Sequence, residues 1–228
     1  MAAPVSVVIP TLEAADRIGP CLAALVEGVA EGLVAELVIA DGGSADAIAE
    51  LAEETGARLV AAPRGRGTQL RAGAEAARGE WLLFLHADTV LPPGWPAAVR
   101  AHIEAGPGRA GHFRLAFDSP GAMARLTAGW ANLRALALAL PYGDQGLLVH
   151  RDLYEAVGGY PPVPLMEDVT IVRALGRRRL TELPATAVTS AERYARAGWL
   201  RRGWRNLTTL GLFFLGVRPE RLEARYRR

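Results

Sequence analysis

The sequence contains no lysine: all 26 of its basic residues are arginine. Its single cysteine, Cys21, has no partner for an internal disulfide, which excludes a disulfide scaffold and fits a reducing compartment. Cys21 falls on the apolar side of a predicted helix, so a buried thiol is expected. No run of about 18 or more apolar residues occurs, so no segment reads as a membrane-spanning helix. Val5-Ser6-Val7-Val8-Ile9 is apolar, but it is too short for a secretory h-region and runs straight into Pro10, so no signal peptide is expected. A Gly-x-x-x-x-Gly-Lys-Ser/Thr phosphate loop is absent, as is Gly-x-Gly-x-x-Gly after the first predicted strand. Internal repeats and low-complexity tracts are missing too, apart from an arginine-rich tail.

What is present is a chain of 228 residues, 50% hydrophobic and 22% charged, enough for one large domain or one domain with a modest appendage. The net charge of +2 conceals an asymmetry. Residues 193–228 hold ten arginines against Glu220 and Glu223, a net of +8, and the preceding 192 residues carry −6. A basic segment on an acidic body points to an anionic partner: a phospholipid surface, a phosphate-bearing substrate or nucleic acid. Nucleic acid ranks last, because no stacking sheet or recognition motif accompanies the charge.

Four short apolar runs, 5–9, 36–40, 58–61 and 81–85, alternate with helical patterns over 14–29, 46–55 and 68–77. Strand and helix alternating in this way predict a mostly parallel α/β sheet with helices on both faces. Ligands of such sheets bind beyond the C-terminal strand ends, where Asp41 and Asp88 fall. Further helices are expected near 94–105, 121–140, 152–157 and 166–175, and strands at 110–117 and 147–149.

Asp41, followed by Gly42 and Gly43, can accept hydrogen bonds from a base N–H or a ribose hydroxyl while the backbone approaches closely. Asp41 or Ser44 can equally cap the next helix. Arg64-Gly65-Arg66-Gly67 precedes a helix N-terminus and suits a diphosphate, although a solvated loop reads the same way. His86-Ala87-Asp88 places a carboxylate at the mouth of the sheet, where a hard cation such as Mn²⁺ or Mg²⁺ can join it to substrate phosphates. Glu167-Asp168 opens a helix after a proline-rich loop, where the dipole favours an ionised carboxylate that can serve as a general base; surface acids occupy such positions as well.

Together, Val8 to Thr11, Asp41 to Ser44, His86 to Asp88 and Glu167-Asp168 resemble the family 2 glycosyltransferases of the GT-A fold, over roughly residues 4–180. Gly65 to Leu70, Phe84 to Thr89, Gly143 to Gly146 and Met166 to Asp168 are similar to a bacterial subgroup labelled arsenosugar-biosynthesis-type glycosyltransferases. A GT-A domain is expected over 1–192, as the resemblance implies, and the charge marks a basic, helical, aromatic-rich extension over 193–228. It implies that Pro10, Thr11, Glu13, Asp41 and Gly42 hold the nucleoside of a UDP-, GDP- or dTDP-linked sugar, with His86 and Ala87 beside it. Arg66 and Arg71 would contact the diphosphate, Asp88 would bind Mn²⁺ or Mg²⁺, and Asp144 and Gln145 would meet the acceptor. Asp168, with Glu167 beside it, would deprotonate the acceptor in a single inverting displacement.

Two features depart from the family pattern. His86 replaces the usual first Asp of the Asp-x-Asp motif, and the processive Gln-x-x-Arg-Trp signature is absent, so transfer of one sugar per encounter is expected. The competing readings are a nucleotidyltransferase and a non-catalytic nucleotide-binding or membrane-associated protein. In the extension, residues 197–217 interleave arginines with Trp199, Trp204 and a leucine- and phenylalanine-rich run. That pattern reads either as an interfacial helix for anionic membrane and a lipid-linked acceptor, or as a helix packed on the body with solvated arginines. The expected location is the cytoplasm, peripheral to the inner face of the cell membrane.

Overall fold

The structure is a computed structural model that describes residues 3–226, so the outer ends of both sequence-level units, 1–192 and 193–228, lie outside the described residues. In chain order the elements are β1 (Val5–Thr11), α1 (Ala15–Ala30), β2 (Val34–Asp41), α2 (Ile48–Glu54), β3 (Arg58–Ala61), α3 (Arg66–Ala76) and β4 (Trp81–Phe84). They continue with β5 (Thr89–Val90), α4 (Trp95–Glu104), β6 (Ala110–Phe117), α5 (Ala122–Leu138), β7 (Leu147–His150), α6 (Arg151–Ala156) and α7 (Glu167–Leu175). Last come β8 (Leu180–Thr189), α8 (Glu192–Ala197), α9 (Trp199–Phe214) and α10 (Pro219–Tyr226).

The strands form a single sheet in the order β3-β2-β1-β4-β7-β6-β8-β5. Pairing is parallel from β3 to β4, as the βα alternation predicts, and antiparallel where β7 joins β4 and β6. Successive residues of the inner strands point to opposite faces, and both faces are covered. Val7, Ile9 and Leu83 pack with Ile18, Leu25, Trp95 and Val99 on one side. Val8, Leu82 and Phe84 pack with Leu70, Val169 and Val172 on the other. Burial on two faces explains why these strands are continuous apolar runs. Cys21 is buried in the first of these layers, where removal from water and the nearby Asp88 push its thiol up to about 12, an inert core group.

Two strands, over 180–189 and 89–90, have no counterpart in the apolar pattern of the sequence. β8 pairs parallel to β6, yet it contains Pro184 and no strong apolar alternation. Its register shifts between His112 and Arg114, so Pro184 falls at an irregularity where its missing N–H costs no ladder bond. β8 in turn pairs with β5, bringing the chain after Asp88 against the chain leading to α8.

Candidate active site

The β1–β2 register places Thr11 directly opposite Asp41 at the C-terminal strand ends. Asp41 is nearly buried, and its carboxylate accepts from Thr11 Oγ1 at 3.0 Å, Gly43 N at 2.9 Å, Ser44 N at 2.8 Å and Ser44 Oγ at 2.6 Å. Burial alone would push its pKa up, but the bonds from Ser44, Thr11 and Gly43 outweigh that and hold it below the ordinary value. Those four donors fill about the four acceptor positions a carboxylate has, so Asp41 organises its own loop. Glu13 does related work. At φ +49°, its N–H donates to Ser44 Oγ and its Oε1 accepts from Ala45 N, tying the loops after β1 and β2 together. A Cβ on Gly42 would meet the side chain of Gln69 at 3.0 Å, so the glycine makes room for a bridge from α3 to the carbonyls of Thr11 and Ala40.

Beyond these loops lies a cavity of two joined lobes, of about 270 and 150 Å³, that share Arg66, His86, Asp88, Leu165, Arg193 and Tyr226. Pro10, Thr11, Arg64 and Ala87 line the larger lobe. Tyr142, Asp144, Glu167 and Asp168 line the smaller one. Among the positions singled out from the sequence, Glu13, Asp41, Gly42, Arg71 and Gln145 are not on the cavity wall.

Arg71 and Gln145 are held away from the cavity by what they touch. Arg71 is on the far side of α3 from Arg66, paired with Glu75 at 3.1 Å. Gln145 is fully buried: its Nε2 donates to Phe113 O at 3.2 Å and its Oε1 accepts from Tyr142 N at 3.3 Å. It braces the Gly143–Gln145 turn from beneath.

Arg66 opens α3, and its Nη1 lies 3.6 Å from Glu167 Oε1. A Cβ on the next residue, Gly67, would collide with the carbonyl oxygens of Pro161 and Val163, so only glycine lets the proline-rich loop press against the start of α3. That loop ends in Met166, held at φ +65° in the left-handed region. A non-glycine residue there costs roughly 1–2 kcal/mol, and the turn delivers Glu167 and Asp168 into the cavity. Asp168 Oδ2 accepts from Gly143 N at 3.1 Å, which joins α7 to the turn carrying Asp144. Burial first, and then the neighbouring Asp168, push Glu167 up to about 7 against the pull of Arg66. Burial also pushes Asp144 up to about 6, and its Oδ1 is buried with no hydrogen-bond partner among the described residues. His86 is driven down to about 3 by burial and by Arg66 and Arg193, so its ring is neutral at physiological pH.

The opposite wall comes from the C-terminal helices. Arg193 Nη2 lies 3.8 Å from Asp88 Oδ2, and Arg202 Nη2 donates to Tyr226 Oη at 3.1 Å. Arg193, Tyr194, Arg202, Asn206 and Tyr226 all reach the smaller lobe, and the sequence reading singled out none of them. The available signal was the polar content of the arginine-rich tail, which would have had to be attached to a cavity whose Arg66, His86 and Asp88 lie more than 100 positions earlier.

Residues 6–144 match the family model described as Glycosyl transferase family 2, well over half of the chain. The chain belongs to glycosyl transferase family 2. The match is to the family as a whole and does not single out the arsenosugar-type subgroup. Among curated proteins none matches this chain. Its fold is similar to that of S. aureus TarS, at 16% identity and a TM-score of 0.63, over 82% of this chain and 36% of TarS. S. aureus TarS 1–349 in complex with UDP-GlcNAc gives 16% identity and 0.62, over 82% of this chain and 58% of that one. Glucosyl-3-phosphoglycerate synthase from Mycobacterium tuberculosis, in complex with Mn²⁺, UDP and glucosyl-3-phosphoglycerate, gives 22% identity and 0.55, over 82% and 70%. The chain thus spans between about a third and three fifths of these TarS chains. The likenesses establish a GT-A α/β fold for it, with the cavity at the C-terminal ends of β1 and β4.

Proposed function

We propose that this glycosyltransferase moves one sugar per encounter from a nucleoside diphosphate donor to an acceptor hydroxyl, with inversion at the anomeric carbon. The observation that carries the reading is one cavity with two chemical ends. Arg66, Arg193 and Asp88 cluster at the junction of the lobes, and Glu167 and Asp168 face the smaller lobe. In the proposal the nucleoside occupies the larger lobe against Pro10, Thr11 and Ala87. UDP is the first donor to try, with GDP and dTDP beside it, because TarS and the synthase were each solved with a uridine nucleotide.

The donor set at the junction fits a divalent cation held mostly by the donor itself. Asp88 supplies one carboxylate and His86 a neutral ring, although no group of three or more His, Cys, Asp or Glu that could hold a metal is found among the described residues. Mg²⁺ and Mn²⁺ sites of that type take one or two protein carboxylates and complete their shell with phosphates and water. A bound cation would supply charge stabilisation for the departing diphosphate. Arg66 and Arg193 provide fixed positive charge at the same place. Asp168, at the positive end of α7, takes the acceptor proton. Glu167, pushed up to about 7, holds a proton near neutral pH, which reduces repulsion beside that base.

Among the described residues no helix is long and apolar enough to cross a membrane. Leu200, Trp204 and Leu215 of the C-terminal segment are nevertheless well exposed, and with the surrounding arginines they support peripheral contact with an anionic membrane. Asp168→Asn should abolish sugar transfer and leave nucleotide affinity within about twofold, measured by isothermal titration. Near-normal turnover in that variant would remove Asp168 as the base.

A further inference from the structure

A second concave surface runs between α5 and α9. It is a groove of about 580 Å³, within the usual range for a ligand-sized site. Leu126 and Trp130 face it from α5, and Leu200, Trp204 and Leu207 face it from α9. These five side chains are between 43% and 78% exposed, so they are not a core packed against itself. Large apolar groups concentrated on two facing helices are unusual on a surface with no partner.

The inner end of the groove opens on the reactive cavity. Tyr142, Asp144, Tyr194 and Asn206 line both. The junction also holds Asp144 Oδ1, a buried carboxylate oxygen with no hydrogen-bond partner among the described residues. A buried acceptor atom left without a donor is costly, and a ligand hydroxyl would satisfy it. The turn that carries Asp144 is fixed from below, because Arg134 stacks on the Tyr142 ring and donates to Leu140 O at 2.9 Å.

We propose that the α5–α9 groove is the acceptor subsite for the apolar chain of an amphiphilic alcohol, whose hydroxyl meets Asp144 beside Asp168. This rests on the glycosyltransferase reading above and adds the acceptor's chemical class. A second copy of the chain would also cover the apolar walls. It would not explain why the groove's polar groups gather at the end that joins the cavity, nor the unpaired oxygen there.

Gly203 provides a clean perturbation. It lines the groove on the helical backbone of α9, and a Cβ added there meets nothing within 4 Å. Gly203→Phe therefore fills the groove without disturbing the packing, and replacing a helical glycine favours the helix. The probes are n-alkyl alcohols from butanol to dodecanol, each below its solubility limit, with binding read from tryptophan fluorescence. Affinity should rise up to about fourfold per added methylene until the groove is full. Gly203→Phe should remove that rise while thermal stabilisation by UDP stays unchanged. Alcohols should bind about tenfold tighter than their methyl ethers, and Asp144→Ala should erase that difference but keep the chain-length rise. An affinity independent of chain length, or one unaltered by Gly203→Phe, overturns the subsite. So does sedimentation showing that the wild type self-associates through this face and Gly203→Phe does not. Loss of UDP stabilisation in the wild type would instead count against the donor reading and leave the chain-length result to stand alone.

Discussion

Arg193 and Arg66 approach the proposed diphosphate position from opposite walls, one beside Asp88 and the other beside Glu167. Each should donate charge-assisted hydrogen bonds, typically 1.5–3 kcal/mol apiece. Arg193→Ala is therefore expected to weaken nucleotide diphosphate binding about 10- to 100-fold by titration calorimetry, with little loss for the nucleoside alone. Glu167 gives a pH signature. Burial pushes its folded-state pKa up to about 7, above the ordinary 4.5, so its contribution to stability is complete below 4.5 and is lost as pH rises through 7. The melting temperature of Glu167→Gln should fall less than that of the wild type between pH 5 and pH 8; parallel curves would rule out this titration. The position of Asp88 and Asp168 on the cavity wall was legible in the sequence because strand ends and helix starts have recognisable chemistry. The position of Arg71 off that wall was not, because five helical positions turn a side chain about 140° away from Arg66. Nor was that of Gln145, whose partners Asn132 and Phe113 are distant in sequence.

The elements that position the site are the start of α3 and the loop leading to α7. Gly67→Ala should push the carbonyls of Pro161 and Val163 away and destabilise the fold by about 1–3 kcal/mol in urea unfolding. The same change should reduce turnover more than it reduces nucleotide binding, because the displaced loop ends at Met166 and carries Glu167 and Asp168. The α/β alternation of the first 85 residues could be read directly, since strands buried on both faces become uninterrupted apolar runs. β8 could not, because its strand character comes from pairing with β6 around Pro184 and its own composition gives little sign of it.

At the scale of the molecule, the acidic body and the basic C-terminal segment meet at the cavity. The segment that composition marks as an appendage supplies Arg193, Tyr194, Arg202, Asn206 and Tyr226 to its wall. Only folding brings them to Asp88, and no local motif announces it. Exposed Arg201 and Leu215 on the C-terminal segment offer a test of membrane contact that spares both the cavity and the groove. Arg201→Glu with Leu215→Ser should lower flotation with anionic vesicles severalfold, and equal flotation would assign the arginines to solvent. The central claim is sugar transfer from a nucleotide donor through Asp88. Its most direct measurement is release of nucleoside diphosphate from UDP-, GDP- and dTDP-sugars in the presence of Mn²⁺, for the wild type and for Asp88→Ala. The wild type should release nucleoside diphosphate slowly from at least one donor and the variant should lose at least about 100-fold, as on removal of a single transition-state-stabilising group. Equal release by both proteins, or none from any donor together with no nucleotide binding, would contradict it.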